Sequence, residues 1–298
     1  MQDVSNPTTR VIDVVNFLAA NPTEAFTLTE IAGHVGLSNG SAHRLLTTLA
    51  NAKFLTRNDK HRTYTLGVAM VAIGQAAVER HRGVEVARRE IARLAVELNV
   101  QCSANAVVDG EILVLVKEGS PQTQLGLTRV GERRPLLPPL GMCHVAWGSE
   151  ATVRGYIEQA GHSLDPAVRD HLLAALPIIR KRGYSLAAYG RLADDVRQAM
   201  VQPAVDKRDA EYWQWLRQMI ADLTPPEVQV LDIGELDAAR SSYISAPVFA
   251  PDGTVGLQLV LSGIAGGTPG REVERYAERL CATAAIITSE IHGRRPAN

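Results

Sequence analysis

The sequence predicts an α+β chain in two parts: a small, mostly helical head and a larger domain of helices packed on an antiparallel sheet. Three observations carry this. Residues 27–66 have the layout of a helix-turn-helix followed by a β-wing. Near residue 100 the apolar period changes from that of a helix to that of a strand. Beyond it the order runs helix, strands, helices, strands, helix, which suits an antiparallel sheet with helices on one or both faces. The 298 residues leave room for two domains. We place them at 1–66 and 84–298, with a linker helix at 67–83 and an insertion near 190–226.

Residues 1–7 read as a loose tail. Thr9 to Ala20 is an amphipathic helix with Val11, Ile12, Val15, Leu18 and Ala19 inward, ended by Asn21-Pro22. The first helix of the motif opens at Thr27, and Glu30 three residues later completes a capping box. Gly36 tolerates the positive φ of a sharp turn, and Leu37 plugs that turn into the core. Ser38 is an N-cap for the second helix. There Ala42, Leu45, Leu46 and Leu49 form the inward stripe.

The opposite face carries Asn39, Gly40, Ser41, His43, Arg44, Thr47 and Asn51. Short polar groups beside one Arg suit close approach to base edges and phosphates. Two β-prone runs, 53–55 and 64–66, flank a polar tip that reads as a hairpin wing. From residue 38 to 62, Arg44, Lys53, Arg57, Lys60 and Arg62 face a single acid, Asp59, while the whole chain is −1. Positive charge gathered on one motif of a near-neutral chain is what phosphate contact needs. The candidate DNA-binding residues are therefore Ser38, Asn39, Gly40, Ser41, His43, Arg44, Thr47, Arg57, Lys60 and Arg62. The plainer reading is a small helical domain with a solvated basic hairpin.

Val68 to about Arg82 is an alanine-rich helix with little polarity before Gln75. It reads as a linker that packs against a second copy, or as a connector on its own domain. Val84 to Asn99 is amphipathic, with Val86, Ile91, Leu94, Ala95 and Leu98 inward and Arg88, Arg89, Glu90, Arg93 and Glu97 outward. Strands follow at 101–108 and 111–118 around Asp109-Gly110, a two-residue hairpin signal, and a third at 123–129. Residues 131–143 read as an irregular loop leading into a short helix near 143–148. Helices are expected at 149–160 and 166–182, and a strand from Gly183-Tyr184. The insertion holds Tyr212, Trp213 and Trp215, a cluster open to three readings: lid, subunit contact or satellite core. A helix from about Asp209 to Leu223 is ended by Pro225-Pro226. Strands resume near 228–233, 243–250 and 254–262, the last two joined by Pro251-Asp252-Gly253, and a final helix runs from 271 to 292.

Composition narrows the class. The chain is 46% hydrophobic and 21% charged, ordinary for a globular protein. It shows no N-terminal secretion signal and no apolar run long enough to span a bilayer. Cys102, Cys143 and Cys281 are far apart, which fits reduced thiols and argues against a zinc or iron–sulfur site. The expectation is a cytoplasmic protein without membrane contact or cofactor. Cys143-His144 invites an enzymatic reading, but adjacent helical residues do not face each other. The phosphate loop, the nucleophile elbow and the zinc-protease helix are all missing from the sequence. Cys143 then reads as a buried small apolar residue.

The chain resembles the IclR-type transcriptional regulators over most of its length. In the head the likeness rests on Leu28-Thr29-Glu30-Ile31-Ala32, on Gly36-Leu37-Ser38, on the run from Ser41 to Leu49, and on Tyr64, Leu66 and Gly67. In the second part it rests on Arg133-Arg134-Pro135-Leu136 leading to Gly141, on Arg182-Gly183-Tyr184, on Ala246-Pro247-Val248-Phe249 with Asp252-Gly253, and on Leu261-Ser262-Gly263. The resemblance implies a winged helix-turn-helix, a linker helix and a GAF-like effector-binding domain. It also implies dimers or tetramers that bind palindromic double-stranded operators near a metabolic gene cluster, under control of a small-molecule effector.

By resemblance the effector site falls to Gly126, Leu127, Gly141, Met142, Cys143, Glu235, Tyr243, Ile244 and Ser262. Gly141 opens a helix whose N–H groups suit a carboxylate. The departures matter: Tyr243 stands where members often carry Cys, Val260 where a Ser is frequent, and Leu137-Pro138-Pro139-Leu140 where His and small residues are usual. These add apolar wall and an aromatic body with one polar tip. They point to an aromatic or alicyclic carboxylate rather than a two- or three-carbon acid; core filling is the plainer reading. The reading from another class is a metabolite-binding or enzymatic module whose helix-turn-helix serves protein contacts. Repression and activation are not distinguished.

Overall fold

The computed structural model describes residues 7–120, 130–161, 164–189, 218, 221–236 and 241–296. The expected tail, the strand at 123–129 with Gly126 and Leu127, and the helices of the insertion with Tyr212, Trp213 and Trp215 lie outside the described residues. The chain divides into two compact units, with a boundary between Arg82 and Gly83.

The first unit opens with α1 (Pro7–Ala20). Val14, Phe17 and Leu18 are its buried residues, the i, i+3, i+4 set, which leaves Ile12, expected inward, 55% exposed. β1 (Phe26–Thr27) precedes α2 (Leu28–Val35), and α3 (Asn39–Asn51) follows it. The Thr27–Glu30 capping box forms, with Thr27 N donating to Glu30 Oε2 at 2.7 Å. Gly36 takes the left-handed conformation, φ 64°, and the Leu37 N–H returns to Ala32 O, which stops α2 within one residue. Ser38 caps α3 by accepting from Ser41 N. Arg10 donates to Val35 O and ties α1 to the end of α2.

The wing is β2 (Leu55–Asn58) and β3 (Thr63–Leu66). β2 starts two residues later than expected because Lys53 adopts a positive φ. β1 adds a third strand on β3, pairing Phe26 with Tyr64, which the sequence reading missed. One core of Val14, Phe17, Leu18, Ile31, Val35, Leu46, Leu49, Leu55 and Tyr64 holds the unit. α4 (Val68–Arg80) follows the wing.

The second unit starts with α5 (Arg82–Leu98) and the hairpin β4 (Gln101–Val108) and β5 (Glu111–Glu118), turned by Asp109 and Gly110 at positive φ. Glu90, expected outward, is buried; it bonds Arg89 and Arg93, so the pairing offsets the desolvation. Residues Arg133–Pro135, expected as loop, form a short edge strand, β6, where Pro135 ends the ladder. Then come α6 (Met142–Ala146), α7 (Glu150–Ala160), α8 (Pro166–Arg182) and β7 (Ser185–Tyr189).

The expected strand at 228–233 is not formed. Residues 218 and 221 are helical, and Pro225-Pro226 then open a new helix: they occupy the first turn of α9 (Pro225–Val228), capped by Thr224 and Glu227. A 3-10 turn at Ile233–Glu235 follows. β8 (Ser241–Phe249), β9 (Val255–Ile264) and α10 (Gly270–Glu290) complete the chain. The six strands run in the order β6-β5-β4-β9-β8-β7, every neighbour antiparallel.

Successive side chains of a strand point to opposite faces, and the two faces of this sheet differ. One carries Cys102, Ala104, Val116, Leu186, Ile244, Ala246, Val248, Leu257, Leu259 and Leu261, packed under α5 and α10. The other carries Ser185, Tyr243, Ser245, Gln258, Val260 and Ser262 with Gln101, Ser103 and Asn105, as the register requires. A second core, built on α6 to α9 with Ile112, lies on this side.

Candidate functional sites

The first site is the outer face of α3 with the wing. Ser38, Asn39, Gly40, His43, Arg44 and Thr47 are exposed and Ser41 is partly buried, while Ala42, Leu46 and Leu49 face the core. The stripe therefore fixes which side groups of α3 point outward. Arg44 makes no ion pair among the described residues, so its guanidinium is available to a phosphate or a base edge. The wing tip is shaped by Asn58, whose Oδ1 accepts from Lys60 N and His61 N, and by Arg62 at φ 55°. Lys60 and Arg62 are exposed; Arg57 is partly engaged with Asp59 at 3.5 Å. Hydrogen bonds from Thr27 hold the Glu30 carboxyl below its usual range. The cap at the start of α2 thus stays ionised at neutral pH.

The second site is the polar face of the sheet. Gln101, Ser103, Asn105, Ser185, Ser245, Gln258 and Ser262 are all buried, and all lie on it. Gln101 Nε2 donates to Ser262 Oγ at 2.9 Å, leaving the serine hydrogen to be directed elsewhere. Ser185 Oγ donates to Gln229 Oε1, whose Nε2 donates to Leu186 O.

Gly141 opens α6 at φ 79°, and a Cβ there would lie 2.1 Å from Leu136 Cδ1, so only glycine fits. α6 is only five residues long. Met142 and Cys143 beside it are buried, and Met142 belongs to the second core. The Cys143 thiol interacts with Ser245 rather than an imidazole, and burial pushes its pKa far up. Burial lowers that of His144. This pair lacks the hydrogen bond a thiolate nucleophile needs. Cys102 is raised to about 12 and Cys281 to about 11, both chiefly by burial.

Tyr243 lies on the polar face. Its phenol is raised to about 12 by desolvation, with Arg134 pulling the other way. That influence brings the β6 edge, where Arg134 pairs with Glu132 at 2.7 Å, toward the same face. Ile244, grouped with Tyr243 in the sequence reading, faces the helix-side core instead, because neighbours on a strand point apart. Glu235 sits in the 3-10 turn. The sequence reading missed Gln101, Ser103, Asn105, Ser245 and Gln258. The signal was present: polar residues alternate with Cys102 and Ala104 in a strand covered on both sides.

Residues 7–59 match the family model of the IclR helix-turn-helix domain. Over 183 residues the chain is 26% identical to the HTH-type transcriptional regulator XynR of Escherichia coli (strain K12), spanning 59% of this chain and 72% of that protein. In fold it is similar to an IclR transcriptional regulator from Alicyclobacillus acidocaldarius, with TM-score 0.68, 19% identity, and 96% and 98% of the two chains covered. It is also similar to an IclR homologue from Microbacterium hydrocarbonoxydans complexed with 4-hydroxybenzoate. There the TM-score is 0.66 and the identity 16%, with 96% and 99% of the chains covered.

Proposed function

Because the chain belongs to the IclR family, whose members are transcriptional regulators and not enzymes, we propose that it binds a palindromic operator near a metabolic gene cluster and releases or engages it on binding an organic acid. The observation that carries the DNA reading is the face of α3. A helix whose apolar stripe is buried presents Asn39, Gly40, Ser41, His43, Arg44 and Thr47 together, with Ser38 at its N-cap and Arg57, Lys60 and Arg62 on the adjoining wing. Such a helix fits the major groove, and the wing cations fit the flanking phosphates.

The effector reading is an aromatic or alicyclic carboxylate bound on the polar face, between Gly141–Cys143, Tyr243 and Ser262. The apolar Val260 and the aromatic Tyr243 support a ring, and the Ser262 hydroxyl supports an acid oxygen. The similar fold that holds 4-hydroxybenzoate supports the same class. Gly126, Leu127 and Glu235 belong to this reading by resemblance. Ile244 acts only as support behind Tyr243.

The oligomer is proposed through α4. None of its residues is buried, and Val68 and Val71 are each 73% exposed. A short apolar helix gains most of its stability from packing, and a second copy of the same helix offers a matching apolar surface. Two-fold pairing also suits two half-sites about 34 Å apart, one helical turn of DNA.

The test is fluorescence anisotropy of the full chain on the duplex upstream of its own gene and on genome-selected fragments, against a scrambled duplex at two salt concentrations. Selective binding on the order of 10³-fold, weakened by Arg44→Ala and by salt, is the expected result. Equal, weak binding to every duplex overturns the reading.

A further inference from the structure

On the polar face two amide oxygens without a partner stand opposite each other. Asn105 and Gln258 stand directly opposite each other where β4 pairs with β9. They are 5% and 3% exposed. Neither Asn105 Oδ1 nor Gln258 Oε1 has a hydrogen-bond partner among the described residues. On the same face Gln101 Nε2 donates to Ser262 and Ser185 donates to Gln229. Beyond their own amide nitrogens the row they occupy supplies no side-chain donor: Val114 faces Asn105 from β5 and Pro247 faces Gln258 from β8.

A buried acceptor without a donor is unfavourable, and folded chains keep few of them. Directly opposed residues of an antiparallel ladder have Cβ atoms about 5 Å apart, so one ligand group or two adjacent ones can reach both oxygens. Amide oxygens accept only; they suit a hydroxyl and disfavour a carboxylate.

We propose that Asn105 and Gln258 contact the effector and accept hydrogen bonds from its hydroxyl, so the ligand is a hydroxylated carboxylic acid rather than a plain one. The acid half of this statement rests on the carboxylate reading above; the hydroxyl half rests on the amide pair alone. The pair lies four residues along β9 from Ser262, on the same face. An extended ligand can therefore address the serine with its acid end and the amides with its hydroxyl end.

The experiment uses the full chain, with calorimetry and thermal shift on matched ligands. These are benzoate, 4-hydroxybenzoate and 4-methoxybenzoate, cyclohexanecarboxylate and its 4-hydroxy derivative, and the neutral 4-hydroxybenzyl alcohol. Hydroxy acids are expected to bind about tenfold tighter than their plain and methylated partners, the size of one net hydrogen bond. Gln258→Met is expected to cut that preference to about twofold or less while lowering the unliganded melting temperature only slightly. Asn105→Ser repeats the test with a small polar side chain, should the apolar variant fold poorly. Equal binding of hydroxy and plain acids to the native chain, or a preference that survives both substitutions, overturns the proposal and leaves the carboxylate reading standing. Binding of the neutral alcohol alone supports the amide pair and overturns the carboxylate. No response to any of the six overturns both.

Discussion

The two faces of the six-stranded sheet are made by the same strands and serve different ends. The face under α5 and α10 is lined mainly by apolar side chains packed as a core. The opposite face buries seven polar side chains, although apolar residues of similar size would pack there at less cost. Keeping amides and hydroxyls in a covered place costs stability, and here that cost falls on the face where the effector is proposed to bind.

Substitutions separate the faces. All three tryptophans fall after Arg82, so their fluorescence during chemical denaturation reports the second unit. The largest loss is expected on the helix side: Leu261→Ala should cost about 3 kcal/mol, within the range for truncating a buried leucine. Ser262→Ala, one residue along and on the other face, should cost about 1–2 kcal/mol by stripping Gln101 of its acceptor. Gln258→Met should cost least, about 1 kcal/mol or less, because the amide oxygen it removes has no partner. If Leu261→Ala and Gln258→Met cost the same, the distinction between the faces fails.

A smaller contrast is written in pH. The Cys102 thiol and the Tyr243 phenol lie on opposite faces and are both raised to about 12 by burial. A raised folded value means that stability is whole below the ordinary pKa, about 9 for the thiol and about 10 for the phenol, and falls as pH climbs to 12. Melting curves should therefore be flat from pH 7 to 9 and decline above. Tyr243→Phe should lessen the part of the decline that begins near pH 10, leaving the shares of Tyr184 and the thiols. On the acid side the Glu30 cap has the reverse sign. Its carboxyl is depressed, so its contribution is present above about pH 4.3 and lost below. Glu30→Gln should remove that dependence from the head alone.

What the sequence made legible follows the range of the forces involved. The Thr27–Glu30 box, the Gly36 turn, the Ser38 cap and the Asp109-Gly110 hairpin are decided within a few residues, and each is found where the chain chemistry puts it. β1 and β6 are two and three residues long and exist only through partners far along the chain. Val230, read as part of a strand, makes one backbone bond to Leu186 and no ladder. The candidate site suffered most. Asn105 and Gln258 are 153 residues apart, and their meeting is a matter of β4 lying beside β9. Resemblance supplied Gly141, Tyr243 and Ser262 for that site, but it also grouped Ile244 with Tyr243, which strand alternation separates.

The three cysteines carry a consequence of another kind. Each thiol is held protonated well above neutral pH, and Cys102 and Cys143 are buried. Oxidants attack the thiolate, not the thiol. Peroxide at neutral pH finds almost no thiolate to react with here, and a disulfide through Cys102 or Cys143 would first need the fold to open. The three cysteines are therefore expected to stay reduced when the folded chain meets peroxide at neutral pH, and thiol titration checks this.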